Sequence, residues 1–166
     1  MFNFHSTASL IFGNETAVNS TDQIVNLLGK NIFVITDEGL TELGLYDITI
    51  KKLQSNSNIN IFDKVESDPS KSTLLKAFNE AANFKSTGVL GFGGGSSMDV
   101  AKLVSLLLGS NQNIDTIWGV NNAKGPRIPL VLIPTTAGTG SEVTPISIIT
   151  MDDKEKKRCF FKTYFT

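Results

Sequence analysis

Short apolar runs alternate with longer mixed segments along this chain. "NIFVIT" (31–36), "INIFDKV" (59–65), "TGVLGF" (87–92) and "PLVLIP" (129–134) are of strand length. Three of the four are nearly continuously apolar, the pattern of strands buried on both faces. Between them, "STDQIVNLL" (20–28), "LYDITIKKLQS" (45–55), "DPSKSTLLKAFNEAANFK" (68–85) and "SSMDVAKLVSLLL" (96–108) read as helices. In the third, Leu74, Leu75, Phe78, Ala81 and Ala82 recur at helical spacing, and the fourth is expected to stop at Gly109. This alternation predicts a doubly wound α/β fold with a mostly parallel sheet and right-handed crossovers. "ASLIFGN" near the start is expected to add an antiparallel edge strand. "PISIITMDDKEKKRCFFK" is expected to form a hairpin turning at "DDKEK", where the charges of "KEKKR" fit a solvated turn.

Composition narrows the picture. A chain of 166 residues, 40% hydrophobic and 19% charged, is long enough for one domain with a real core. A formal net charge of −1 argues against a dedicated nucleic-acid binder. No apolar run reaches the length of a membrane span, and "MFNFHSTASLIFGNET" has no basic n-region, so a cytoplasmic location is expected. Cys159 is the only cysteine, which excludes an intrachain disulfide and fits a reducing compartment.

"GFGGGSSMDVAK" (91–102) places four glycines in five positions between a buried strand and a helix. A linker does not sit there. A strand–glycine loop–helix junction presents unpaired backbone N–H groups and the positive end of the helix dipole, where phosphates settle. Gly93, Gly94 and Gly95 let the backbone approach a phosphate, and Ser96 adds a hydroxyl. The alternative is a ligand-free turn in which Ser96 and Asp99 form a capping box. The spacing is not the usual G-x-G-x-x-G fingerprint, because the acidic candidate, Asp37, lies upstream after "NIFVIT". Asp37 could accept from ribose hydroxyls and repel a 2′-phosphate, or cap a short helix "DEGLTEL".

"IPTTAGTGSEVT" (133–144) follows the next core strand, and seven of its residues are Thr, Ser or Gly. Thr135, Thr136, Thr139 and Ser141 would then share the sheet edge of the first loop and define a crevice. Together the two blocks resemble the iron-containing (group III) alcohol dehydrogenases, a family akin to dehydroquinate synthase. The family pattern G-G-G-S-x-x-D-x-A-K matches from Gly93 through Lys102, and the resemblance runs from about residue 8 to about residue 150. It implies a Rossmann-like dinucleotide-binding domain over 1–150 and a divergent tail over 151–166. The implied cofactor is NAD rather than NADP. By that resemblance Gly94, Gly95 and Ser96 would hold the pyrophosphate and Asp37 the adenosine ribose. Asp99 would lie near the nicotinamide, Thr135 and Thr136 beside the adenosine, and Thr139 and Ser141 nearer the ribose and nicotinamide. Asp68, before Pro69, occupies a position where many relatives carry an Asn that touches the cofactor. Lys102 is read as structural.

The resemblance also implies a second, helical domain that holds iron or zinc through one Asp and three His. This chain has one histidine, His5, read as an ordinary strand or surface residue, and no acidic–histidine cluster. No metal-ligand residue is therefore assigned. Metal binding can lower the pKa of a bound water from about 15.7 to about 7, roughly 12 kcal/mol of ionisation free energy. No hydroxyl in the two loops replaces that, so the chain alone is expected not to turn over alcohol. The ending "RCFFKTYFT", with four aromatics in seven residues, departs from the family pattern and predicts a shortened, frameshifted gene product. A small alcohol or aldehyde substrate belongs to the full-length relatives. The surface left by a missing domain predicts a homodimer or larger assembly. Two other readings stand beside this one: a non-catalytic dinucleotide-binding or assembly module, and a dehydroquinate synthase-like cofactor domain. The close "TTAGTGSE" match favours the dehydrogenase branch over the latter.

Overall fold

The computed structural model describes residues 7–151 and 156–161. His5 and the turn of the expected C-terminal hairpin lie outside them. The elements are α1 (Thr16–Asn19), α2 (Thr21–Leu28), β1 (Asn31–Ile35), α3 (Glu38–Leu43), α4 (Asp47–Gln54), β2 (Asn58–Phe62) and α5 (Lys71–Asn83). There follow β3 (Gly88–Gly93), α6 (Gly95–Ser110), a 3₁₀ turn (Ile114–Thr116), β4 (Gly119–Ala123), β5 (Leu130–Pro134), β6 (Ile146–Thr150) and β7 (Lys156–Phe161). No helix among the described residues is long and apolar enough to cross a membrane.

The four apolar runs form one parallel sheet in the order β2-β1-β3-β5. Side-chain alternation divides the core in two. Ile32 and Val34 of β1, with Leu90 and Phe92 of β3, pack against Ile24 and Leu28 of α2 and Ile50 and Leu53 of α4. Phe33, Ile35 and Val89 face α5 and α6 through Leu74, Ala77, Val100 and Val104. Each fully buried side chain of this size contributes about 1.5–3 kcal/mol, so both layers carry weight. The chain is therefore a helix–sheet–helix sandwich, as the continuous apolar strands require. Gly91 makes the second layer possible: a Cβ there would sit 2.8 Å from both the Ala101 Cβ and a Leu132 methyl.

Three expectations need correction. "ASLIFGN" forms no strand: residues 7–12 are irregular, and Leu10, Ile11 and Phe12 are exposed. Among the described residues no strand pairs with this run, although β2 and β5 each leave an edge of the parallel sheet open. The helix expected to stop at Gly109 continues to Ser110, and left-handed Asn111 ends it by donating its N–H to the Leu107 carbonyl. Gly109 serves close approach instead, because a Cβ there would lie 2.5 Å from the Arg127 Cα. The strand expected over 59–65 ends at Phe62, and 63–67 turn onto the rim of the sheet. The C-terminal hairpin is present as antiparallel β6 and β7. Unforeseen was β4, which pairs parallel to β7 and completes a second, three-stranded sheet. Ile149 and Cys159 of that sheet join the α5–α6 core.

Candidate functional site

The chain winds from β1 to β2 on one side and to β3 on the other. The loops leaving the C-terminal ends of β1 and β3 therefore diverge, and a crevice opens between them. A cleft of about 640 Å³ lies there, within the range of small-ligand sites. Segments following all four parallel strands line it: 37–43 after β1, 63–67 after β2, 94–97 after β3 and Thr135–Thr136 after β5. The two polar loops share one rim and are stitched together, for Thr135 N donates to the Gly93 carbonyl at 3.0 Å.

Asp37 follows β1 and caps α3, where one carboxylate oxygen accepts from Leu40 N at 3.0 Å. The helix-cap reading thus holds, and Asp37 also lines the cleft. Its second oxygen points toward the glycine loop, 3.3 Å from where a Cβ on Gly93 would be. Gly93 itself is buried against Ser97, whose hydroxyl would lie 2.8 Å from that Cβ.

Helix α6 begins at Gly95, with Gly94 as its N-cap and no side-chain cap. The capping box of the alternative reading is absent. A start at Gly95 draws Ser96 into the first turn and sets Asp99 beyond reach of the end. The first-turn N–H groups, which no helix can satisfy internally, border the cleft at Gly95, Ser96 and Ser97. A Cβ on Gly94 would lie 3.5 Å from the Thr136 hydroxyl, and one on Gly95 would lie 3.3 Å from Thr139. These glycines keep the space between the two loops clear. Uncapped amides, a helix N-terminus and a cradle that a side chain would narrow are the donor set a pyrophosphate requires, so the residues fit a dinucleotide.

Asp99 and Ser141 turn away from this opening. The Ser141 hydroxyl donates to Asp99 Oδ1, and Ile148 N donates to Asp99 Oδ2 at 3.0 Å. Lys102, 3% exposed, lies 2.9 Å from the same carboxylate. Its ammonium donates to the Ser141 carbonyl and hydroxyl, each at 2.9 Å, and to the Ile146 carbonyl. Burial lowers its pKa below the ordinary lysine value, against the pull of Asp99. Lys102 thus bolts the second loop to α6, as its structural reading anticipated.

Of the expected site residues, Asp37, Gly94, Gly95, Ser96, Thr135 and Thr136 border the cleft. Gly93 and Thr139 pack against them. Asp68 does not border it. It sits at a left-handed φ of 54° before Pro69, whose carbonyl accepts from Thr150 N at 2.9 Å. The sequence reading missed Glu38, Asp63, Lys64 and Glu66, which also line the cleft. Their signal was positional: like Asp37, they follow the ends of parallel strands.

Lys64 lies 2.8 Å from Glu38 and 3.2 Å from Asp63, and hydrogen bonds to these two carboxylates raise its pKa. Burial opposes ionisation of Glu66. Hydrogen bonds from Ser70 N and the Thr73 hydroxyl outweigh it, so the Glu66 pKa falls below the ordinary value. Burial pushes the Cys159 thiol up to about 12, which makes it a poor nucleophile. Among the described residues no group of three His, Cys, Asp or Glu side chains could hold a metal ion.

The profile of the family described as iron-containing alcohol dehydrogenase matches residues 7–166, past the limit near 150 expected from the motifs. Sulfoacetaldehyde reductase of Bilophila wadsworthia is 32% identical over 149 residues, covering 89% of this chain and 38% of that protein. Long-chain-alcohol dehydrogenase 1 of Geobacillus thermodenitrificans is 36% identical over 157 residues, covering 89% of this chain and 40% of that one. The solved structure of NADH-dependent butanol dehydrogenase A from Thermotoga maritima superimposes with a TM-score of 0.86 at 27% identity, covering 98% of this chain and 42% of that one. The chain thus spans about two-fifths of the length of these relatives.

Proposed function

The chain belongs to the iron-containing alcohol dehydrogenase family, and we propose that its part in that chemistry is to bind NAD(H) in the cleft between β1 and β3. One observation carries the reading: the uncapped N-terminus of α6 and the Asp37 carboxylate open onto the same space from adjacent strands. The α6 amides and the Ser96 hydroxyl hold the pyrophosphate. Asp37 receives a ribose hydroxyl on the oxygen that Leu40 N does not use, and it disfavours a 2′-phosphate. Thr135, Thr136 and Thr139 would close the far side of a cofactor held along the rim. A dinucleotide held there would supply hydride exchange with a carbonyl or alcohol carbon.

Alcohol–aldehyde interconversion is the reaction suggested by the names of the dehydrogenase relatives, with a small alcohol or aldehyde as substrate. The described residues do not fit a divalent metal, so this chain's share is cofactor binding. Isothermal calorimetry tests the reading, with circular dichroism to establish that the chain is folded. Saturable NAD+ binding, with weaker NADP+ binding, is expected. A folded chain that binds neither nucleotide overturns it.

A further inference from the structure

Asp37 is one of four carboxylates on the cleft wall. Glu38, Asp63 and Glu66 are the others, and Lys64 is the only lysine or arginine among the lining residues. Glu66 is committed to the first turn of α5 through Ser70 and Thr73. Glu38 and Asp63 instead grip Lys64, at 2.8 and 3.2 Å. The backbone fixes this arrangement. Thr36 N donates to the Phe62 carbonyl at 2.9 Å, and Asp37 and Lys64 form an isolated antiparallel bridge. The segments leaving β1 and β2 therefore lie side by side, and the Lys64 ammonium spans them from Asp63 to Glu38.

We propose that Lys64, Glu38 and Asp63 form a specificity switch for the dinucleotide, in which two carboxylates sequester the one lining cation that could meet a 2′-phosphate. The inference rests on the NAD(H) reading above and deepens it. A ribose 2′-hydroxyl is neutral and needs an acceptor, which Asp37 supplies. A 2′-phosphate needs a cationic partner. In this cleft it meets Asp37, Glu38 and Asp63, with the charge of Lys64 already engaged. The Lys64 and Glu38 side chains are 63% and 64% exposed, so each pair is weak alone and screened by salt. Discrimination here is collective: neutralising both carboxylates removes two repulsive charges and releases one attractive charge together.

The test is calorimetric titration of the full chain with NAD+ and NADP+, reading the ratio of the two affinities. In Glu38→Gln/Asp63→Asn the preference for NADP+ is expected to rise about tenfold relative to NAD+. Adding Lys64→Met is expected to remove the share of that rise that the released ammonium supplies. Raising salt should erode the discrimination of the unmodified chain. A ratio that stays within about twofold in the double variant, or a rise that Lys64→Met leaves undiminished, overturns the inference. Failure of the folded, unmodified chain to bind NAD+ overturns the underlying reading, and this one with it.

Discussion

The glycine loop at 94–97 leaves its donors facing the cleft, whereas the threonine loop ends in a buried clamp. Both are dense in small polar residues, and both leave the same rim of the sheet. The difference lies beneath them. Under Gly94–Ser97 the helix simply begins, and no side chain caps its amides. Under Ser141–Ile146 lies Lys102, an ammonium surrounded by carbonyls, a hydroxyl and the Asp99 carboxylate. Polar residues with a buried charge behind them hold the structure, and those backed only by open amides remain available to a ligand. Within one motif, then, Asp99 and Lys102 are tied into the framework while Gly94–Ser96 border the cleft.

The sharpest way to break that contrast is Lys102→Met. It leaves the Asp99 carboxylate uncompensated and should cost about 3 kcal/mol by chemical denaturation. A cost under about 1 kcal/mol would show that the clamp is not structural. The sign of its pH dependence also follows. The folded-state pKa of Lys102 is depressed below the ordinary 10.5. The unfolded chain therefore binds more protons between the two values, and stability should climb with pH across that alkaline window. In Lys102→Met this rise should disappear.

Next in size is Glu66, on the cleft wall but turned to the start of α5. Glu66→Gln should cost about 1 kcal/mol, a figure kept small by solvent exposure. Its pKa is lowered in the fold, so its contribution is present above the unfolded pKa and lost as pH falls through the folded one. As pH falls below that lowered folded-state pKa, the variant and the parent should converge in melting temperature.

The smallest stability effect belongs to the open loop. Gly94 has an ordinary φ of −76°, and an added Cβ meets only the Thr136 side chain at 3.5 Å. Gly94→Ala should therefore change stability by only about 0.5 kcal/mol. Its NAD+ affinity should still fall about tenfold, because the methyl group enters the space a phosphate would occupy. Equal losses of stability and affinity would erase the distinction between the two loops.

Much of this was legible in the chain itself. The four apolar runs became the four parallel strands because continuous hydrophobicity over five or six residues has few other outcomes between turns. The glycine cluster was placed correctly at a strand–helix junction because its flanks were unambiguous. The start of the helix was not, and an N-cap two residues earlier, at Gly94 rather than Ser96, replaced a capping box with a clamp. "ASLIFGN" failed because strand formation needs a paired neighbour, and no local pattern reveals whether a run will dock on an edge. Asp63, Lys64 and Glu66 were overlooked because they were read into the end of a strand or the approach to a helix, although the rim logic applied to Asp37 reaches them as well.

The sequence by itself determined the layered α/β fold, the two loops that leave its strands and the carboxylate after β1. These follow from periodicity and backbone chemistry, which act over a few residues. Only the tertiary structure decided which polar groups face the cleft and which are clamped, and that Lys64 is held between carboxylates from the segments that follow two different strands. Charge pairing and burial depend on residues 26 to 49 positions apart, as in Lys64 with Glu38 and Ile148 with Asp99. Their effect exists only once the sheet order has brought those residues together.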